Sequence, residues 1–293
     1  MPSTPATVGT DEAVKTALSR IGEIATLPEI TAQIISVVDD PRSTAKDLHQ
    51  IIKNDPALAT KILKVVNSAF YGLPGQVSDL DRAIVLLGLS SVKNIAISAS
   101  ISRLFTSEQL SDGFSARDLW KHSVAVGVVT RQMCAMIGKR AFAEEAFLAG
   151  LIHDMGLLVQ RQAYPDKLAE VIQDVIKTDR PLCEVEQEVV GADHQALGAA
   201  LAVKWKFPRV LQTVLGYHHN IATLDEQHRL LPTIVHLADT FCCREGIGFP
   251  LTARNQTIDE AILESVGLNV HDFETLKEEL DENLQSAETT LGD

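Results

Sequence analysis

Aromatic side chains are scarce in this chain: they form 5% of its 293 residues, with two tryptophans and three tyrosines. Ala, Ile, Leu and Val dominate the apolar set instead, a balance that suits close helix packing better than a sandwich of sheets. Cysteine is sparse too. Cys134, Cys183, Cys242 and Cys243 lack disulfide or zinc spacing, which argues against a stapled scaffold and fits free buried thiols in a reducing compartment. Positive charge is in deficit, with 26 Lys and Arg against 39 Asp and Glu, so the formal charge is −13. An acidic surface discourages non-specific contact with nucleic acid, and no local basic patch offsets it. No unbroken apolar run reaches the length of a membrane span, and the opening MPSTPATVGTDEAV has no basic stretch followed by an apolar one. A cytoplasmic protein without membrane association is expected. Dinucleotide fingerprints, phosphate loops, internal repeats and low-complexity tracts are missing as well, so no organic cofactor is expected.

What is present is helical periodicity, nearly end to end, and the fold class it predicts is all-α. Pro28 opens a helix carrying Ile30, Ile34, Ile35 and Val38 on one stripe. Ser43 reads as the cap of the next helix, and Asp55 before Pro56 as a strong start signal. Ser78 with Asp81 resembles a capping box, and Ser90 a cap for the run GLSSVKNIAISAS, whose isoleucines would also suit a strand. Further helices are predicted over residues 116–137, 141–160, 167–177, 192–205, 208–218 and 231–243. The expected organisation is a flexible or partly helical N-terminus (1–20), an N-terminal helical region (21–112), and a second helical region (113–250). An acidic amphipathic helical tail (251–293) follows, frayed from about Gln285.

The second region carries the chemistry. Residues 146–159 read AFLAGLIHDMGLLV, placing His153 and Asp154 inside an apolar run. Burying an unpaired carboxylate costs several kcal/mol, so Asp154 must meet a helix terminus, a cation or a metal. Similar settings hold His122 in DLWKHSVAVG, His194 in GADHQALGAA, His218 and His219 in GYHHN, and Asp239 in IVHLADTFC. Each histidine alone is most simply a satisfied core or surface residue. Together, five imidazoles and two carboxylates suit zinc, iron, manganese or nickel, and suit calcium poorly.

The order H…HD…H…HH…D resembles that of the HD superfamily of metal-dependent phosphohydrolases, including its HD-GYP phosphodiesterase branch. The chain is more similar still to the HD-related output domain (HDOD) family of bacterial signal-transduction proteins. The likeness is carried by LPEITAQIISVVDDP, NDPALATKILKVVNSAFYG, AIVLLGLSSVKNIA, LWKHSVAVG, FLAGLIHDMG, DHQALGAALAVKW, YHH and HLAD, in consistent order over most of residues 20 to 243. The resemblance implies an HD-superfamily-like multi-helical domain with an additional N-terminal helical region. It also implies one divalent ion held by His122, His153, Asp154 and Asp239, and a second held by His194, His218 and His219 with Asp154 as a bridge. Asp154 and His194 would be the catalytic residues if the chain is an enzyme. Two departures from the HD-GYP pattern oppose catalysis: Leu157 stands in HDMGLL where that branch carries lysine, and Asn220 follows His219 where glutamate is usual, with no GYP segment.

Three readings follow. A regulatory output module, acting through signalling proteins or a phosphorylated small molecule, comes first. A metal-dependent phosphohydrolase acting on a phosphodiester such as a cyclic dinucleotide is the alternative. A purely structural polar cluster closed by His–Asp pairs is the third. The oligomeric state is left open. Among other residues, His236 shares a helix face with Asp239, Glu144 and Glu145 suit the positive end of their helix, and Lys121 is expected to be exposed. Asn67, Phe70, Tyr71 and Gly72 in NSAFYG read as a structural corner, and Trp205 in VKWKFP as a packed helix end.

Overall fold

The computed structural model describes residues 8–22, 27–39, 42–68, 71–73, 75–105 and 114–291. Among these, every regular element is helical. The first group is α1 (Val8–Arg20), α2 (Glu29–Asp39), α3 (Ala45–Lys53), α4 (Pro56–Val66), α5 (Leu80–Leu87) and α6 (Leu89–Ile101). The second opens with α7 (Ala116–Met136), α8 (Ala143–Ile152), α9 (Met155–Ala163) and α10 (Pro165–Thr178). It continues with α11 (Leu182–Val189), α12 (His194–Lys204), α13 (Arg209–Tyr217) and α14 (Leu230–Arg244). The tail forms α15 (Glu260–Val266) and α16 (Val270–Leu291), which stays helical past Gln285, where fraying is expected from the sequence. No helix among the described residues is long and apolar enough to cross a membrane.

Local chemistry sets the helix starts, though not always through the expected residue. Asp55 caps α4 by accepting from the Leu58 amide at 2.9 Å, as its pairing with Pro56 predicts. At α3 the cap is Thr44 instead of Ser43, because the Thr44 amide and hydroxyl both reach Asp47 Oδ2, at 2.8 and 2.7 Å. At α5 it is Asp79 instead of Ser78, since the carboxylate takes the Arg82 amide at 2.8 Å. The α6 run is a helix preceded by Gly88, not a strand and not capped by Ser90. It is buried almost along its whole length, which explains its poor amphipathic pattern: it packs on α2, α4 and α8.

The core runs continuously from the first group into the second. Helix α1 lies on α9 and α12, and Tyr164 donates to the Ala13 carbonyl at 3.0 Å. Helix α16 seals the opposite side against α7 and α4, burying Leu276, Leu280 and Leu284 and leaving its carboxylates outward. Asn67 satisfies the end of α4 through the Leu63 carbonyl, at 2.8 Å, and Gly72 takes a φ of 56°. Phe70 lies outside the described residues.

Two glycines bring the polar residues together. Helices α7 and α8 cross so closely that a Cβ on Gly150 would lie 2.8 Å from the Gly127 Cα. A Cβ on Gly156 would run into the His194 carbonyl, so the start of α9 sits directly on the start of α12. The helix expected over residues 141–160 is therefore two helices, broken at His153 and Asp154, with Asp154 at φ −96° and ψ 15°. An apolar run cannot announce that break, because the reason for it is a distant backbone.

Candidate metal centre

His122 projects from the second turn of α7, His153 and Asp154 stand at the α8–α9 break, and Asp239 lies within α14. His194 is the first residue of α12, whose start is fixed by Asp193 accepting from the Ala196 amide at 2.7 Å. His218 and His219 follow the last turn of α13. All seven meet. On one side, His122 Nε2 is 3.0 Å from Asp239 Oδ1 and 3.8 Å from Asp154 Oδ2, and His153 Nε2 is 3.2 Å from Asp154 Oδ2. On the other, His194 Nε2 and His218 Nε2 each lie 3.4 Å from Asp154 Oδ1, and His219 Nε2 is 3.1 Å from His194 Nε2. Asp154 thus offers one oxygen to each side.

The outer nitrogens explain the ring orientations. A carbonyl or carboxylate only accepts, so a ring nitrogen facing one carries a proton, and in the neutral ring the opposite nitrogen keeps its lone pair. His122 Nδ1 faces the Ile247 carbonyl at 3.3 Å, His153 Nδ1 that of Gly150 at 2.7 Å, and His218 Nδ1 that of Val214 at 3.0 Å. His194 Nδ1 donates to Glu186 Oε2 at 2.7 Å. Glu186, completely buried, also accepts from the His194 amide at 3.0 Å and from Gln160 at 2.8 Å. Asp239 Oδ1 accepts from Thr252 at 3.1 Å and Cys243 at 3.4 Å. His236 donates from Nδ1 to the His218 carbonyl at 2.8 Å, supporting the centre from behind.

The electrostatics are those of a compact ion cluster. Burial works against charge on His153, yet Asp154 and Asp239 outweigh it and lift the imidazole to about 10. Burial opposes His194 likewise, and Glu186 with Asp154 carries it to about 9. Burial alone would raise Asp154 and Asp239, but the surrounding imidazoles hold both well below the usual carboxylate range. His218 and His219 are both pushed down by burial and by the neighbouring rings.

The donor set fits a divalent cation on direct grounds. His122 Nε2, His153 Nε2, both oxygens of Asp154 and Asp239 Oδ2 are buried with no hydrogen-bond partner among the described residues, and all of them belong to this cluster. His122 Nε2 is near Asp239 but not aligned for a hydrogen bond. Such atoms are costly to leave unpaired, and imidazole with carboxylate is what zinc, iron, manganese or nickel would take up. Asp154, His194, His218 and His219 could share one cation, and His122, His153 and Asp154 another.

Sequence reasoning misses the supports. Glu186 sits on α11, a helix absent from the expected set, and the backbone acceptors leave no trace in residue identity. Glu144 does more than favour a helix end: it accepts from Tyr71 at 2.5 Å and from Arg131 at 2.9 Å. Lys121 is exposed and Trp205 packs edge-on against Phe207, both as expected. Leu157, where a lysine would help an enzyme, is fully buried.

Comparison with known proteins agrees with the all-helical fold. The sequence profile of the HDOD domain matches residues 24–221. A crystal structure of an HDOD domain protein of unknown function from Geobacter sulfurreducens shares the fold with a TM-score of 0.80 at 20% identity, covering 96% of this chain and 98% of that one. A Shewanella amazonensis protein, provisionally assigned as a phosphohydrolase, does so with a TM-score of 0.71 at 22% identity, over 95% and 98% of the two chains. An uncharacterised Treponema pallidum protein is 27% identical over 220 residues, which is 75% of this chain and 42% of that protein. This chain therefore spans less than half the length of that relative. With its profile covering well over half the sequence and its fold shared along nearly all of it, the chain belongs to the HDOD family.

Proposed function

We propose that the chain is a metal-dependent phosphohydrolase acting on a phosphodiester such as a cyclic dinucleotide. One cation would sit among His122, His153, Asp154 and Asp239, and a second among Asp154, His194, His218 and His219. The observation that supports this is Asp154, whose two buried oxygens face opposite sets of imidazoles and have no hydrogen-bond partner among the described residues. A shared carboxylate is what two neighbouring cations require between them. When bound, such a pair supplies Lewis-acid polarisation and lowers the pKa of water for attack on phosphorus.

The chain's own residues would hold and orient. Glu186 keeps the His194 lone pair turned inward, toward the position of the second cation. The side chain of His219 is 5% exposed while the other six are at 0%, so substrate would approach past His219. The likeness of fold to the Shewanella amazonensis protein is consistent with this reading, although fold alone does not assign chemistry.

A second reading, a regulatory output module acting through signalling proteins or a phosphorylated ligand, keeps one specific observation in its favour. The buried Leu157 cannot neutralise phosphate charge. Protein purified without chelators, analysed for bound metal and assayed on cyclic dinucleotides and bis(p-nitrophenyl) phosphate, separates the two. Turnover that vanishes in Asp154→Ala is the expected result. Full metal occupancy with no turnover would overturn the hydrolase reading in favour of the regulatory one.

A further inference from the structure

His219 is held differently from its neighbours. The Nδ1 atoms of His122, His153, His194 and His218 each face a pure acceptor, but that of His219 faces an amide, the side chain of Gln256, at 2.6 Å. Gln256 lies outside the span of the family profile, in the segment between α14 and α15, and is itself half-buried. Its backbone amide is tied to the Ala253 carbonyl at 3.0 Å, so the side chain starts from a fixed point. The other end of its amide lies 3.1 Å from Thr240 Oγ1. The Thr240 hydroxyl in turn is 2.8 Å from the His236 carbonyl.

Counting protons orients this chain of groups. Threonine has one hydroxyl proton, neutral imidazole has one N–H, and a glutamine amide has two N–H and one carbonyl. The shorter Thr240 contact is to the His236 carbonyl, which uses the hydroxyl proton. Thr240 Oγ1 can then only accept from the amide. The amide nitrogen must therefore face Thr240 and the amide oxygen must face His219, the reverse of the placement with Nε2 against Nδ1. The two ends of an amide are nearly the same size, so the exchange costs no packing. With its oxygen toward His219, Gln256 accepts the Nδ1 proton, and Nε2 keeps a lone pair 3.1 Å from His194 Nε2, inside the centre. In their neutral forms all five rings then follow one rule, with the proton outward and the lone pair inward.

We infer that Gln256 is a positioning residue that holds His219 in its Nδ1–H form and so turns the Nε2 lone pair toward the cation site. The metal half of this inference rests on the proposed function; the tautomer half stands without it. A carboxylate at residue 256 would serve as well, because it too accepts. A thioether of similar length would not, and His219 would then fall back on the Nε2–H form that free neutral imidazole prefers.

The test uses the full chain, metal-free, with ¹⁵N-labelled histidine, and reads the tautomer of His219 from its ring nitrogen shifts. His219 in the native sequence and in Gln256→Glu should be protonated at Nδ1, and in Gln256→Met at Nε2. The His236 ring, bonded to a backbone carbonyl, should stay unchanged in all three and serves as the check that each variant is folded. Zinc titration adds a second reading. Gln256→Met should weaken the site that includes His219 by about 10- to 100-fold, with Gln256→Glu restoring it. An Nε2–H signal for His219 in the native sequence, or a tautomer indifferent to residue 256, would overturn the inference. If no variant binds metal, the proposed function fails while the tautomer result still decides the role of Gln256.

Discussion

The two sides of the polar centre are built from the same residue types but secured in different ways. On the side of His122 and His153, both rings lean on backbone carbonyls, those of Ile247 and Gly150. On the side of His194, His218 and His219, only His218 does so; His194 depends on the Glu186 carboxylate and His219 on the Gln256 amide. A carbonyl is present whatever residue carries it, so the two rings of the first side are supported by the fold itself, with side-chain support there confined to Asp239. The second side is supported by two replaceable side chains. Tuning of the centre by mutation should therefore fall mostly on the second side, while damage to the first should require damage to the fold.

The harshest way to break that comparison is at the seam. Gly156→Ala would drive a methyl group into the His194 carbonyl, forcing α9 away from α12 and the two sides apart. Denaturant unfolding should register a loss of about 3 kcal/mol or more. A loss below about 1 kcal/mol would mean the helices slide freely, and the seam would not be what joins the sides. Next in size, Asp154→Asn removes the charge that faces both sides at once. Elemental analysis should find both cations lost together, whereas one retained ion per chain would show that the sides load independently.

Glu186→Gln acts on the second side alone. It should weaken the His194 site by about 10- to 100-fold while leaving the His122 site as it was, a split visible in a stepwise cobalt titration. Equal weakening of both sites would erase the distinction between them. The gentlest test concerns the thiols. Burial, then Glu145, pushes Cys134 up to about 11, and burial with nearby carboxylates holds Cys183, Cys242 and Cys243 well above the ordinary thiol range. Each thiolate is scarce until pH approaches its raised pKa, so the native chain should resist iodoacetamide at pH 8 and react fully once unfolded. Rapid labelling of Cys243 would show that the pocket around Asp239 opens readily on the first side.

What the sequence revealed, and what it hid, follows the same division. His122, His153, Asp154, His194, His218, His219 and Asp239 were legible because ionisable residues inside apolar runs are costly and therefore conspicuous. The all-helical fold was legible from periodicity. The break after Ile152 was not, since an unbroken apolar run reads equally well as one long helix, and the cause lies at the His194 backbone. Helix α11, LCEVEQEV, escaped because its glutamates look like a solvated surface, and Glu186, the buried one, is indistinguishable there from its neighbours. Gln256 sits in an ordinary polar stretch, RNQT, with nothing local to single it out. Buried ionisable residues advertise themselves by their cost; those that orient them do not.

The bond between Tyr71 and Glu144 gives helix α8 a mechanical character. Glu144 lies in its first turn and His153 just past its last, about 14 Å apart at 1.5 Å per residue. It is a rod of that length, pinned at one end to the corner after α4 and carrying an imidazole at the other. The corner after α4 and the imidazole of His153 are thereby joined through a single helix.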